Sequence, residues 1–399
     1  MKPIILLLRP LLVAVAIFVF QLATLAQSSL NLKDMDNVRI SLLTCQPHDE
    51  VYSIYGHTAI RYQDAARGTD LAINYGMFSF NKPYFILRFV FGLTDYEMGI
   101  EPFDAFCAQY ASYGSGVYEQ ELNLTPEEKL AIVKAIDTNY EPQNRVYRYN
   151  YFYDNCTTRA REMIVNHLQA RVNYTPEKNI GTSYRQIVHQ CASQTPWIRF
   201  GNDMLLGVQA DLIINRSQRQ FLPANLMRDF EGARLSNGTN IKRKLVLSSG
   251  WVVKPGVQTT SSAFPLSPTA LMLVLAAIIL STTAIEAKLN TRFAWFDALW
   301  LLLCGLVGLL LFVMIFSQHP TVRINFQILF FCPYTLLYIY KALKKDKEKQ
   351  FFKGIKIWCI LIVLFFIGGF FQHYAEGIVF LALSLLIRYL YLLYRHHRA

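Results

Sequence analysis

The last third of the chain constrains the fold most, because it holds long apolar runs that a soluble domain would leave exposed to water. Five runs follow one another at about 264–285, 293–316, 326–340, 355–371 and 377–394. A helix needs roughly 20 apolar residues to cross a bilayer core of about 30 Å, so the third and fourth runs span it only with tilt or with different boundaries. The pattern predicts an all-α transmembrane bundle of five helices over residues 261–399.

Basic residues predict how this bundle is oriented. Those that follow the first, third and fifth runs share one side of the membrane: Lys288 and Arg292, the seven lysines between 341 and 356, and the basic tail at 395–398. The two loops on the other side, 317–325 and 372–376, contain Arg323 as their one Lys or Arg residue. Because cytoplasmic loops are rich in Lys and Arg, the region before residue 261 is expected outside. The net charge of +11 thus reflects the orientation of the membrane helices rather than nucleic-acid binding.

The N-terminus supports export of that region. Lys2 and Arg9 precede an apolar run at 11–20, and the small residues Thr24 and Ala26 precede a cleavage position after Ala26. We predict a signal peptide over residues 1–26, with an uncleaved anchor helix as the alternative.

Residues 27–260 have the mixed composition of an α+β soluble domain. The patterns predict strands at 38–44, 58–62, 70–75, 117–124 and 147–153. A capping box that starts at Thr125 predicts a helix over 129–137, and Asp154-Asn155 can cap a helix that begins at Cys156. Apolar periodicity indicates further helix near 184–191, 204–206 and 221–230.

Cys156 is the candidate nucleophile. In the first turn of a helix, unpaired N–H groups and the helix dipole stabilise a thiolate, and Arg159 adds positive charge nearby. His57 follows Gly56 at the start of a predicted strand and is the candidate base, while Asn74 on the next strand is placed to orient the imidazole. The alternatives are that Cys156 is a half-cystine or an inert core thiol, and that His57 is an ordinary strand residue.

Two other features leave alternatives open. Cys45, Cys107 and Cys191 share an oxidising compartment with Cys156, so one disulfide among these three is expected, with no pairing specified. The aromatic residues between 75 and 91 would form either the core or a groove for an acyl chain. No CxxC pair has metal-site spacing, so we expect no metal and no cofactor.

Two motifs carry a resemblance to a known superfamily. The segments His57-Thr58-Ala59-Ile60 and Asn155-Cys156 resemble the permuted papain-like (NlpC/P60-like) enzymes, in particular the lecithin retinol acyltransferase and H-Ras-like suppressor branches. Those branches have a second histidine where this chain has Asn74. The resemblance implies transfer of an acyl group from a phospholipid through a cysteine thioester.

A closer resemblance extends over most of the chain. The segments GHTAIRY, INYGMFSF, YRYNYFYDNCTTRARE, LLGVQADLII, FLPANL and SQHPTVRINFQILFFCPYTLL are similar to the bacterial Lnb-type lipoprotein N-acyltransferases. The resemblance implies a periplasmic catalytic domain on an inner-membrane bundle. It also implies transfer of an acyl chain from a membrane phospholipid to the α-amine of a diacylglyceryl-cysteine lipoprotein.

Substrate-binding residues are expected in two places. Tyr55, Asn155 and Arg159 lie near the Cys/His motifs, and the outer loops bring His319, Asn325 and His373 to the same side of the membrane. These loop residues would lie beneath Cys156 and position a lipid, or they would only mark helix ends in the headgroup region.

Three other functions use the same residues. A phospholipase or a papain-like cell-envelope hydrolase would share Cys156 and His57 but transfer the acyl group to water or cleave a peptide. A non-enzymatic lipid- or lipoprotein-binding membrane protein would leave the Cys156 thiol inert.

Overall fold

The computed structural model describes residues 31–48, 50, 53–78, 83–176, 181–237, 242–257 and 264–398. The predicted signal peptide and the predicted domain boundary near residue 260 lie outside these residues.

The N-terminal domain is built on an antiparallel sheet of seven strands in the order β12-β5-β1-β2-β3-β4-β6. Its strands are β1 (Val38–Cys45), β2 (His57–Asp64), β3 (Thr69–Met77), β4 (Asp95–Pro102), β5 (Val117–Leu122), β6 (Val146–Arg148) and β12 (Val246–Val253). Two small sheets hold β7 (Arg171–Asn173), β8 (Thr182–Ser183), β9 (Ile213–Ile214), β10 (Arg234–Ser236) and β11 (Lys242–Lys244). The sequence patterns missed β4 and β12, and the strand predicted over 147–153 ends at Arg148.

Eight helices of this domain lie within the described residues. They are α1 (Phe85–Val90), α2 (Phe103–Ser112), α3 (Pro126–Tyr140), α4 (Cys156–Val165), α5 (Tyr184–Cys191), α6 (Pro196–Leu205), α7 (Arg216–Arg219) and α8 (Pro223–Glu231), with 3-10 turns at Leu32–Asn37 and Val208–Asp211. The α+β prediction is confirmed, and α3 begins at the predicted capping box, where Thr125 accepts a hydrogen bond from the Glu128 N–H.

Alternation along β2 and β3 places helices on both faces of the sheet. Ile60 and Ile73 belong to the core shared with α3, α4 and α8, whereas Ala59 and Ala72 pack with Phe103 and other α2 residues. The chain therefore leaves few side chains of these two strands to solvent, and the catalytic candidates lie at the strand ends.

Five helical segments of the C-terminal region are long and apolar enough to cross a membrane: Pro268–Leu289, Ala294–Met314, Pro320–Leu343, Lys345–Gly368 and Ile378–Arg398. The prediction of five membrane helices is confirmed. Four of the segments contain a continuous helix each, namely α9 (Pro268–Leu289), α10 (Ala294–Met314), α13 (Glu348–Gly368) and α14 (Ile378–Arg398).

The third segment differs from the predicted short helix over 326–340. It is broken into α11 (Pro320–Arg323), 3-10 turns at Phe326–Leu329 and Pro333–Tyr338, and α12 (Ile339–Leu343). Pro333 lacks the N–H that a continuous helix needs at this position. Gly308 of α10 allows the broken segment to approach, because a Cβ there would lie 2.3 Å from the Phe331 carbonyl oxygen. The fourth helix begins seven residues earlier than predicted, after a further 3-10 turn at Lys345–Lys347.

The two domains are joined by buried polar contacts. The Gln327 side chain donates to the Asp203 carbonyl at 2.8 Å, and the Gln372 side chain donates to the Leu206 carbonyl at 3.1 Å. The Gly207 N–H donates to the Thr321 carbonyl at 2.8 Å. Since unmade buried hydrogen bonds are costly, these contacts fix the outer loops against the segment that follows α6.

Candidate active site

A side-chain turn and a helix cap place Cys156. The Asn150 side chain accepts hydrogen bonds from the N–H groups of Phe152 and Tyr153, which ends the strand and turns the chain. Asn155 then caps α4, because its Oδ1 accepts from the N–H groups of Thr157 and Thr158 at 2.9 Å each. The aromatic pattern at 147–153 is that of a continuous strand, so it did not predict this turn. Cys156 is the first residue of the helix.

The structure places Cys156 and His57 side by side, close enough for each to shift the pKa of the other. Burial raises the pKa of the Cys156 thiol, but the nearby His57 imidazolium, with hydrogen bonds from the Thr58 backbone and the Thr157 side chain, lowers it below its ordinary value overall. Burial lowers the pKa of His57, and the Cys156 thiolate, Asn74 and Glu101 together raise it above its ordinary value. The surroundings thus favour a thiolate–imidazolium pair.

A chain of hydrogen bonds orients the imidazole. His57 Nε2 contacts Asn74 Oδ1, and Asn74 Nδ2 donates to Glu101 Oε1 at 2.7 Å. An ionised carboxylate can only accept, so Glu101 determines which end of the Asn74 amide faces His57. Nε2 must then carry a hydrogen, which leaves Nδ1 as the ring nitrogen that can exchange a proton with Cys156.

Strand register explains how three separate residues line up. Asn74 pairs with Ala59 of β2 on one side and with Gly99 of β4 on the other. His57 and Glu101 each lie two positions from those partners and therefore share a sheet face with Asn74. Glu101 also borders a cavity of about 170 Å³ lined in part by Met77 and Arg145. Glu101 was not among the predicted site residues, because the sequence pattern did not indicate β4.

We expect Glu101→Gln to narrow the pH range in which the Cys156–His57 pair is reactive. Loss of the negative charge destabilises the imidazolium, so the pKa of His57 falls, and a weaker imidazolium raises the pKa of the Cys156 thiol. The pH profile of Cys156 alkylation by iodoacetamide measures this. In Glu101→Gln the pH at which the alkylation rate is half-maximal should rise. Glu97→Gln, on the same strand, should leave the profile unchanged. An unshifted profile in Glu101→Gln would contradict the relay.

Tyr147 contributes an unpaired hydroxyl to the site. Its Oη atom is buried and has no hydrogen-bond partner. A Cβ at Gly76 would lie 4.0 Å from both this oxygen and Cys156 Cβ, and Gly76 has φ +100°, a conformation that suits glycine. The hydroxyl and Cys156 therefore border the same space, which a side chain at position 76 would fill.

The other predicted residues of this domain are held by neighbouring groups. Arg159 forms a bidentate pair with Asp154 at 2.6 and 2.8 Å, and its guanidinium lies 3.6 Å above the Tyr147 ring. The side-chain oxygen of Asn155 caps the helix, and its side-chain NH2 group donates hydrogen bonds to two backbone carbonyls. The Tyr55 hydroxyl accepts a hydrogen bond from the Asn202 side chain at 3.0 Å. These contacts position neighbouring groups, and Arg159 supports the Tyr147 ring.

Aromatic rings form one wall beside the nucleophile. Tyr96 stacks on Tyr149 with ring centroids 4.1 Å apart and on Phe78 at 4.8 Å. Burial and the nearby Cys156 raise the pKa of Tyr96 to about 12. Of the aromatic residues between 75 and 91 that are described, Tyr75 is core, whereas Tyr84 and Phe89 are exposed. The run is therefore only in part core, and the acyl-chain groove stays a prediction.

The outer loops lie directly against the catalytic domain. The ring of Tyr151, five residues before Cys156, lies 4.8 Å from His319, and the Tyr151 hydroxyl contacts Thr321 Oγ1 at 3.3 Å. His319 is buried, and burial lowers its pKa. Its Nε2 donates to the Phe89 carbonyl at 3.3 Å, and its Nδ1 has no hydrogen-bond partner.

Asn325 and His373 are engaged in contacts between the domains. The Asn325 amide donates to the Met204 carbonyl at 2.8 Å, and His373 Nδ1 contacts Asp211 at 2.9 Å. Asn325 thus holds its loop to the end of α6, and His373 holds the other outer loop to the 3-10 turn that follows α6; a role for either in substrate binding stays a prediction.

The cysteines are thiols. Cys45, Cys107 and Cys191 form no disulfide, so the expected bridge among them is absent from the structure. Burial raises the pKa of Cys45 and Cys107, the opposite of the direction at Cys156. Among the described residues, no group of three His, Cys, Asp or Glu side chains could hold a metal ion.

Fold and site together define a multi-pass membrane protein with an exported α+β domain that carries a Cys–His pair. The chain belongs to the Lnb family: residues 26–190 match the Lnb N-terminal periplasmic domain, and residues 258–398 match the Lnb transmembrane domain. No curated protein and no solved structure matches the chain. Family membership places the N-terminal domain in the periplasm and indicates a membrane enzyme that modifies lipoproteins.

Proposed function

We propose that this protein is an inner-membrane lipoprotein N-acyltransferase. It moves an acyl chain from a membrane phospholipid, through a thioester on Cys156, to the α-amine of a diacylglyceryl-cysteine lipoprotein. The observation that carries the proposal is the adjacent Cys156–His57 pair, with Cys156 following a segment that packs on the outer loops of the bundle. Donor and acceptor are both confined to the membrane, so a site held there gains effective concentration over one in free solution.

The first step forms the thioester. The Cys156 thiolate attacks an ester carbonyl carbon of the phospholipid, and the carbonyl oxygen becomes an oxyanion. When the intermediate collapses, the carbon–oxygen ester bond breaks, and the His57 imidazolium gives its proton to the departing lysophospholipid alkoxide.

The second step transfers the acyl group. The neutral α-amine of the lipoprotein attacks the thioester carbonyl, and His57 takes a proton from its nitrogen. Collapse breaks the carbon–sulfur bond, forms the amide and returns Cys156 to its thiolate, which regenerates the ion pair.

Tyr147 is suited to bind the oxyanion of both steps. The N–H groups of Thr157 and Thr158 already donate to Asn155. The N–H of Cys156 itself is then the helix-terminal donor next to the sulfur, and the buried Tyr147 hydroxyl supplies a second donor. Such a donor acts mainly in the transition state, where negative charge develops on the oxygen.

We expect Tyr147→Phe to lower the rate of acyl transfer about 10²-fold, as loss of one oxyanion donor does elsewhere. The substitution removes only the hydroxyl and keeps the ring under Arg159. Single-turnover transfer from a phospholipid measures the effect. The matched control is Tyr75→Phe, because the Tyr75 hydroxyl donates to Asn139 instead. Equal activity of Tyr147→Phe and the wild type would exclude the hydroxyl from the oxyanion site.

Mass spectrometry of lipoprotein N-termini tests the proposed function. Purified protein in lipid vesicles, given a synthetic diacylated lipopeptide, should yield an N-acylated peptide and lysophospholipid in equal amounts. Free fatty acid with no N-acylated peptide would indicate a phospholipase. Cleavage of an envelope peptide with no lipid product would indicate a hydrolase, and no product with an unreactive Cys156 would indicate a binding protein.

A further inference from the structure

Helix α1 is fixed to the outer loop between the second and third membrane segments. The Gln318 N–H donates to the Phe91 carbonyl at 2.8 Å, and His319 donates to the Phe89 carbonyl. A Cβ at Gly92 would lie 3.1 Å from Gln318 Cβ, so the two segments are in close contact. Since this loop joins the outer ends of two membrane segments, α1 lies at the level of the lipid headgroups.

The exposed side chains of α1 suit a position at the level of the lipid headgroups. Leu87 and Phe89 are 56% and 41% exposed, and Arg88 lies between them in the sequence. A short helix with exposed apolar residues next to a long cation is typical of a membrane interface, where the apolar groups enter the acyl region and the guanidinium stays among headgroups.

Arginines gather around the same loop. Arg88 and Arg148 share the carboxylate of Asp95, at 3.1 and 2.7 Å, and Arg148 also donates to the Gln318 side chain at 3.3 Å. Arg323 donates to the carbonyl of Ser317, the neighbour of Gln318. One shared carboxylate cannot neutralise two guanidinium groups, each of which has five N–H donors.

Ion pairing with Asp95 does not by itself explain this cluster. The Arg88 and Arg148 side chains are each 43% exposed, and ion pairs with that much solvent contribute little to stability. A planar guanidinium matches the oxygens of a phosphate group, which it can bind with two parallel hydrogen bonds.

We propose that Arg88 and Arg148 bind the phosphate of the donor glycerophospholipid, with Arg323 adding positive charge from the other side of the loop; this rests on the proposed function. Tyr149 follows Arg148 and stacks on Tyr96 beside Cys156. A phosphate held here places the glycerol esters toward the nucleophile and the acyl chains along Leu87 and Phe89.

The experiment compares two acyl donors in mixed detergent micelles, phosphatidylethanolamine and diacylglycerol. Both have the glycerol esters and acyl chains, but diacylglycerol lacks the phosphate. The readout is kcat/KM for formation of the acyl thioester on Cys156. The variants are Arg88→Gln/Arg148→Gln, the charge-preserving Arg88→Lys/Arg148→Lys, and the control Arg67→Gln. Arg67 is 42% exposed and pairs with Asp34, away from the loop.

The Gln double variant should lower kcat/KM for phosphatidylethanolamine about 10- to 100-fold, mostly through KM, because charge-assisted hydrogen bonds are lost. Its value for diacylglycerol should stay within about twofold of wild type, and the Lys variant should fall between, since a point charge keeps only part of the phosphate binding. Arg67→Gln should match wild type for both donors.

Three outcomes would contradict the proposed phosphate-binding site. Wild-type kcat/KM values for both donors in the Gln double variant would mean that the arginines do not recognise the phosphate. An equal loss for both donors would mean that they support the fold or the chemistry. A wild-type protein that is alkylated at Cys156 but accepts no acyl group from either donor would overturn the proposed function itself, and this site with it.

Discussion

Replacement of Cys156 by alanine should abolish acyl transfer, with a loss of at least about 10⁴-fold, because it removes the thiolate that forms the acyl intermediate in the proposed mechanism. Cys156→Ser should be nearly as inactive, since a serine hydroxyl does not ionise next to an imidazole as the thiol does here. Both changes are small, so the protein should still fold and reach the membrane. Transfer to a synthetic lipopeptide, with membrane localisation as the second readout, measures this.

The control for this prediction is Cys107→Ala. Cys107 lies on α2 and packs in a different core cluster from Cys156, and burial raises the pKa of its thiol. The Cys107→Ala variant should keep full activity. Intact-mass measurement should show an added acyl group in Cys107→Ala and in wild type but not in Cys156→Ala. An acylated Cys156→Ala protein, or one with substantial transfer activity, would refute the thioester.

The core of the candidate site was predictable because its determinants are local. A cap at Asn155 predicts where α4 begins, and a glycine before His57 marks the open start of a strand. Asn74 follows from the hairpin between β2 and β3, which a short connection makes antiparallel. Each inference needs only a few neighbouring residues.

Glu101 and Tyr147 were not predictable by the same means. Glu101 reaches Asn74 only through the pairing of β3 with β4, and the sequence around 95–102 mixes charged residues, glycine and proline with little alternation. Tyr147 is one of several tyrosines between 147 and 153, and only the folded structure shows that its hydroxyl is buried without a hydrogen-bond partner near Cys156. Both roles depend on long-range packing.

In the membrane region, too, some features were predictable from the sequence and others were not. Hydropathy predicts five spans because bilayer thickness is a constraint on each segment alone. It does not predict that the third segment is broken, because a backbone group that the break leaves unpaired is satisfied from another segment: Trp358 of α13 donates to the Phe330 carbonyl.

Replacement of His57 by alanine should lower acyl transfer by about 10²- to 10⁴-fold, the range that a positioned general base contributes. The same change should raise the pKa of the Cys156 thiol, because the imidazolium is its main stabilising charge, so alkylation at neutral pH should slow as well. Asn74→Ala should keep more activity than His57→Ala, since the base remains and only its orientation is lost. Single-turnover transfer and iodoacetamide kinetics measure both effects.

The order of these variants separates a catalytic His57 from a structural one. If His57 served only to fill the end of the sheet, His57→Gln, which keeps most of the volume and one hydrogen bond to Asn74, would restore transfer. With His57 as the base, His57→Gln should stay as inactive as His57→Ala, because a glutamine amide cannot take the proton of the thiol or of the acceptor amine. Restored transfer in His57→Gln, or greater loss in Asn74→Ala than in His57→Ala, would contradict the assignment.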